Sequence, residues 1–233
     1  MPITNKLDSE LLNYIVQRQV PAGERLPTLA EMSDDIGISV GKLREQLEVA
    51  RNLGLVSVRP RVGTQREPFD FLPAVLSSAL FALSSGEAQF EQFSQLRQAI
   101  ETGLWAPAVV RLTPEDKVCL QELVEQAWQK LRGEAVHIPN WEHRQFHLTI
   151  FSRLDNPFVK GILKAYWEIY EASELTRWAS YEYWVEVWRY HERIAEAIAQ
   201  EDFDHGRQLL VQHFNLLPAA SHDLSPNGDG PER

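Results

Sequence analysis

The chain has 233 residues, 44% of them hydrophobic and 24% charged, which fits a globular protein with room for two small domains. No run approaches the roughly 18 apolar residues of a transmembrane helix, and the start lacks the basic-then-apolar pattern of a signal peptide, so neither is expected. The net charge of −10 argues against a uniformly basic nucleic-acid binder, while the lone Cys119 cannot form an internal disulfide and fits a reducing cytoplasm.

Taken in order, Leu7, Leu11, Leu12, Ile15 and Val16 form one apolar helical face. "PAGERLPT" reads as a turn, after which Thr28 and Glu31 have capping-box spacing for a helix over 28–35 that stops at Gly37. Ser39 caps a third helix, 40–53, ended by Gly54. Ser33, Gly37 and Leu43 fall where a helix-turn-helix needs a small residue, a turn glycine and an apolar contact. Leu43, Leu47 and Ala50 bury one side of that helix and leave Lys42 and Arg44 pointing elsewhere. "LVSVRPRVGTQRE" (55–67) then reads as a β-hairpin with a basic tip.

Residues 1–67 hold nine basic and nine acidic residues, so the −10 belongs to the remainder. Within 39–66, Lys42, Arg44, Arg51, Arg59, Arg61 and Arg66 face only Glu45 and Glu48. Such a local basic strip is compatible with phosphate contact on an acidic protein.

Pro68 and Pro73 bracket a linker over 68–73. Beyond it, helices are predicted at 72–84, 86–112, 115–132, 140–154, 157–178, 181–200 and 203–217. The expected fold is mostly α: a winged helix-turn-helix over 1–67, then an all-α antiparallel bundle over 74–217. The Pro-, Gly- and Asp-rich stretch 218–233 is expected to be disordered.

The histidines of "HRQFH" (143–147) are i and i+4, one helix face. At a rise of about 1.5 Å per residue, His147 lies roughly 12 Å and His143 roughly 18 Å from the turn at 155–157. Counting up the next helix and down the return brings His191 to about 15 Å, and His213 lies about 16 Å up the last helix. Four imidazoles from three helices thus share one level, a donor set suited to a divalent metal, with zinc ahead of nickel or manganese. The alternative is four ordinary polar residues. His137, His205 and His222 have no such alignment.

The amino-terminal stretch resembles the DNA-binding domain of GntR-family transcription regulators. The matching residues are Gly23, Leu26, Pro27, Gly37, Ile38, Ser39, Arg44, Glu45, Leu47, Gly54, Leu55, Val56 and Gly63. The resemblance implies DNA contact by Ser39, Lys42 and Arg44 of the recognition helix and by Arg59, Arg61, Gly63 and Thr64 of the wing. The family's usual arginines are replaced by Val40 and Ala30, which implies a different operator or more reliance on the wing.

The second half is similar to the FCD effector domain of the FadR subfamily, carried by "LRQAIETGLWAPAV", "FHLTIFSRLDNP" and "YHERIAEAIAQEDFDHGRQLLVQHF". That resemblance implies metal ligation by His147, His191 and His213, with His143 where the family has an aspartate. It also implies a small carboxylate effector near Arg97, for which the alternative role is a salt bridge with Glu101. Asn156 matches a turn position and Trp184 and Trp188 read as core or dimer contacts.

Together these features lead us to expect a cytoplasmic homodimeric regulator, a repressor by family habit. Its effector would repack the bundle, change the spacing of the DNA-binding heads and shift affinity for double-stranded operator DNA. Two rivals stand beside it: a metal-dependent hydrolase fused to a DNA-binding head, and a metal-free DNA-binding dimer. The Glu-x-x-His signature of di-iron bundles is absent, since Arg144, Trp188 and Leu210 occupy the positions three before the histidines.

Overall fold

The computed structural model describes residues 7–173 and 179–216. The chain divides into two compact units, Met1–Ser78 and Ala79–Arg233.

The amino-terminal unit packs α1 (Glu10–Gln17), α2 (Leu29–Ile36) and α3 (Val40–Asn52) around Leu11, Ile15, Leu26, Met32, Leu43, Leu47, Ala50 and Val56. Thr28 caps α2 through the expected box: its backbone N–H donates to Glu31 at 2.7 Å, and the Glu31 N–H donates to the Thr28 hydroxyl at 3.3 Å. Gly37 ends α2 at φ 77°, a left-handed backbone that glycine adopts without strain. β1 (Val56–Arg59) pairs antiparallel with β2 (Gly63–Arg66), with Val56 opposite Arg66 and Arg59 opposite Gly63.

The segment read as a turn does more. Gly23 and Leu26 donate their N–H groups to the carbonyls of Arg66 (2.6 Å) and Thr64 (2.8 Å), and Arg25 bridges Gln65. The chain entering α2 thus forms a short third edge behind the wing.

The division between the units falls inside α4 (Leu72–Ser84), not in the 68–73 stretch. Pro73 sits in the first turn of that helix, where its missing N–H has no partner to lose.

The carboxy-terminal unit contains α5 (Phe90–Gly103), α6 (Trp105–Val109), α7 (Pro114–Arg132), α8 (Asn140–Ile150), α9 (Pro157–Ala172), α10 (Tyr181–Ala199) and α11 (Phe203–Phe214). The single helix expected over 86–112 is two. Gly86 is still in a turn, and Gln89 and Gln92 form the box that opens α5. Pro107 cannot donate to the Gly103 carbonyl, so the chain breaks at Leu104 and restarts.

α10 packs on both α7 and α11, while α9 packs on α5 and α8. The core runs from Trp105 through Leu120, Ala127 and Phe146 to Trp188, Ile198 and Leu210. The Trp105 indole donates to the Phe203 carbonyl at 2.7 Å, and a Cβ at Gly206 would stand 2.8 Å from that indole, so only glycine lets α11 approach. The end of the expected 157–178 helix and the 218–233 stretch lie outside the described residues. No helix among the described residues is long and apolar enough to cross a membrane.

Candidate functional site

His143 and His147 come from one face of α8, His191 from the middle of α10 and His213 from the last turn of α11. All four are buried, and each offers a ring nitrogen such that these atoms lie within 4.8 Å of one another. Two nitrogens sharing one ion at about 2.1 Å each stand roughly 3.4 Å apart in a tetrahedron, so the cluster could hold a metal ion after only small ring movements.

Hydrogen bonding fixes where the lone pairs point. The Nδ1–H of His191 donates to the Val187 carbonyl at 2.8 Å, which leaves Nε2 as an acceptor. His147 Nδ1 lies 2.8 Å from a Glu101 carboxylate oxygen, and a proton on Nδ1 shared with that oxygen leaves Nε2 as the acceptor. These two Nε2 atoms face each other at 3.2 Å. Two unprotonated nitrogens at that distance repel, and the donor within reach is the Arg97 guanidinium, 3.0 Å from His147 Nε2. Neither ring nitrogen of His143, nor Nδ1 of His213, has a partner among the described residues. A metal ion would take one nitrogen from each of the four rings; the residues fit one.

The protonation states agree. Burial, then the neighbouring imidazoles and Arg97, hold His143 and His213 well below the usual histidine range. Burial, then Arg97, does the same for His147, and burial drives His191 down to about 3. The rings are therefore neutral at physiological pH and offer lone pairs instead of protons.

Arg97 adjoins this cluster, with both of its expected roles in view. Its Nε donates to Glu101 at 2.6 Å, its Nη1 to the Tyr166 hydroxyl at 3.3 Å, and its Nη2 lies 3.0 Å from His147 Nε2. The guanidinium also stacks over Tyr166, Trp167 and Phe214. Burial works against its charge, yet Glu101 and Tyr166 more than offset that and hold it protonated. Glu101 accepts with both oxygens, as an ionised carboxylate does.

Sequence reasoning had Glu101 only as a partner for Arg97. Its bond to His147 and the aromatic wall of Tyr166, Trp167 and Phe214 went unread, although the i, i+4 spacing of Arg97 and Glu101 put both on one face. Trp184 and Trp188 are core residues as expected, but they also border the histidines.

In the amino-terminal unit, Ser39 caps α3 by accepting from the Lys42 N–H at 3.2 Å. The Lys42 ammonium pairs with Glu10 at 2.5 Å, and Arg59 approaches Glu67 at 3.7 Å. Arg44 and Arg61 are exposed, Arg61 at the wing tip with φ 65°. Gly63 adopts φ 94°, and a Cβ there would meet the Arg25 side chain at 3.0 Å. Thr64 pairs with Val58 in the wing, and its carbonyl is taken by Leu26. Arg66 bonds the Val20 carbonyl and so serves the fold. Arg25, exposed behind the wing, is a basic residue the turn reading overlooked.

Residues 3–65 match the model of the bacterial regulatory proteins of the gntR family, and residues 92–216 match that of the FCD domain. Over 224 residues the chain is 26% identical to the HTH-type transcriptional repressor NanR of Escherichia coli, covering 94% of this chain and 84% of that protein. It is 23% identical over 224 residues to the uncharacterized HTH-type transcriptional regulator YcbG of Bacillus subtilis, covering 92% and 88%. A solved Streptococcus agalactiae GntR structure shares the fold, with TM-score 0.61 at 18% identity, 88% of this chain and 94% of that one.

Proposed function

We propose, for a chain that belongs to the gntR family of bacterial regulatory proteins and carries an FCD domain, that His143, His147, His191 and His213 hold a divalent metal through which a small carboxylate controls operator binding. The chain is a DNA-binding transcription regulator and not an enzyme. The name of its Escherichia coli relative favours repression, and a regulator of bacterial DNA works in the cytoplasm.

The single observation that carries the metal reading is the set of four buried imidazoles whose ring nitrogens lie within 4.8 Å of one another. An all-nitrogen set suits zinc first and nickel next, and the absence of a carboxylate ligand makes manganese the weakest candidate. When bound, the ion supplies a doubly positive Lewis-acidic point to which a carboxylate oxygen can attach. Glu101 orients His147 by accepting its Nδ1–H. Arg97 keeps its Nε on Glu101, while its Nη2 gives up His147 Nε2 and turns to the effector carboxylate.

For DNA, Arg44 is free for a base edge in the major groove, and Ser39 stands at the start of the same helix. Lys42 and Arg59 exchange their exposed partners, Glu10 and Glu67, for phosphates at little cost. Arg61, Gly63 and Thr64 present the wing backbone and its tip. A second copy completes the reader, since one recognition helix covers only a half-site. α4 supports that partner: it has no charged side chain and no buried residue, and Phe81 is 68% exposed.

Untagged protein should purify with about one zinc or nickel ion per chain, and His147→Ala and His191→Ala should lower the content several-fold. Chelation should then change operator affinity or its response to carboxylates. Protein that takes up no stoichiometric zinc, nickel or manganese in titration overturns the reading.

A further inference from the structure

Resting on that metal reading, we infer that the regulating ligand is a compact dianion, a small dicarboxylate, and that the indole N–H groups of Trp167, Trp184 and Trp188 are its specificity-determining donors.

The first ground is the inventory of donors and acceptors around His143. Its ring meets Trp167 edge-on with centroids 4.7 Å apart, Trp184 at 5.9 Å and Trp188 at 6.3 Å. All three indoles are buried, and the Nε1 of each lacks a hydrogen-bond partner among the described residues. An indole N–H only donates. Ligation of a metal takes one His143 lone pair, and its other nitrogen then carries the proton. Every one of these four groups is then a donor without an acceptor. Buried polar groups are seldom left unpaired, and several around one ring call for an occupant rich in acceptors.

The second ground is charge. Apart from the histidines, the buried Asp, Glu, Lys and Arg side chains among the described residues are Arg97, Glu101 and Glu142. Arg97 and Glu101 cancel each other at 2.6 Å, and Lys130 cancels Glu142 at 2.7 Å. Neutral imidazoles add nothing. A doubly positive ion would therefore stand uncompensated among aromatic rings, which is costly. A monocarboxylate balances half of that charge. A dicarboxylate balances all of it, with one carboxylate at the ion and the other accepting from the indoles.

The test uses the full zinc-loaded chain and calorimetric titration with malonate against propionate, succinate against butyrate, and glutarate against valerate. One dicarboxylate should bind about tenfold or more tighter than its matched monocarboxylate. Trp167→Phe, Trp184→Phe and Trp188→Phe variants with unchanged zinc content should each lose most of that preference. In the unmutated protein, whose seven tryptophans give seven indole N–H signals, the same dicarboxylate should move three downfield as hydrogen bonds form. A chain that binds zinc but prefers no dicarboxylate, or whose indole signals stay in place on saturation, overturns this inference and leaves the metal reading standing. A chain that binds no zinc overturns both.

Discussion

Glu101 shows how one carboxylate can set the chemistry of a whole cluster. One oxygen takes Arg97 Nε at 2.6 Å and the other takes His147 Nδ1 at 2.8 Å, with the side chain fully buried. Glu101→Gln keeps the shape but can no longer accept from both. Its amide N–H turned towards His147 would move the ring proton to Nε2, the atom proposed to ligate the ion. Zinc affinity should then fall by about 10–100-fold in competition with a chelator. Stability in denaturant should fall by about 3–5 kcal/mol, because Arg97 is left as a buried uncompensated charge. If stability drops and zinc affinity holds, Glu101 serves Arg97 alone. The histidine set was legible in the sequence because helical rise is constant, so levels can be counted along the chain. The second bond of Glu101 was not, because α5 meets α8 through packing that no local spacing encodes.

Helix ends illustrate the same division between local and distant causes. The α2 capping box and the Gly37 stop were readable because each depends on neighbours within a few residues. The break at Leu104 was also written locally, in Pro107, yet the apolar periodicity on either side concealed it. At the start of α7, Asp116 accepts from the Thr113 N–H at 2.9 Å and clamps Arg153, beyond the end of α8, through two bonds of 2.7 and 2.9 Å. The Arg153 guanidinium holds the Asp116 carboxyl down at about 2. A depressed folded value means stabilisation that is fully present above the unfolded carboxyl's range and disappears as pH falls through the folded value. Asp116→Ala should therefore cost about 1–2 kcal/mol at pH 7 in urea unfolding. The gap between the two proteins should stay constant down to roughly pH 4 and close towards pH 2. A gap that persists unchanged at pH 2 would show that the ion pair and cap contribute nothing beyond packing.

At the scale of the whole molecule, the acidic excess lies beyond residue 67, and residues 1–67 are neutral, with Arg44, Arg59 and Arg61 exposed. Net charge therefore predicts little about DNA binding, whereas its distribution does. The features that support the proposed second copy are equally uneven along the chain. α4, "LPAVLSSALFALS", carries no charge anywhere in its thirteen residues and buries none of them, with Leu80 and Phe81 exposed. A helix so composed is stable in water only when covered, and an uncharged face can meet its own copy without repulsion. Sequence periodicity identified α4 as a helix but could not say that Leu80 and Phe81 on it would stay exposed. Phe81→Glu puts two charges into the apolar face that a symmetric pair would bury. The variant should keep its helical circular dichroism and run as a monomer in light scattering, whereas the unmutated chain should run as the proposed dimer at the same concentration. Losing the second recognition helix should weaken binding to a two-half-site operator by about 10²–10⁴-fold and affinity for a single half-site hardly at all. Arg44→Ala should weaken single half-site binding as well, and weaken the two-half-site operator by about the square of that factor because the contact is lost twice, and that contrast separates a fault in assembly from a fault in reading.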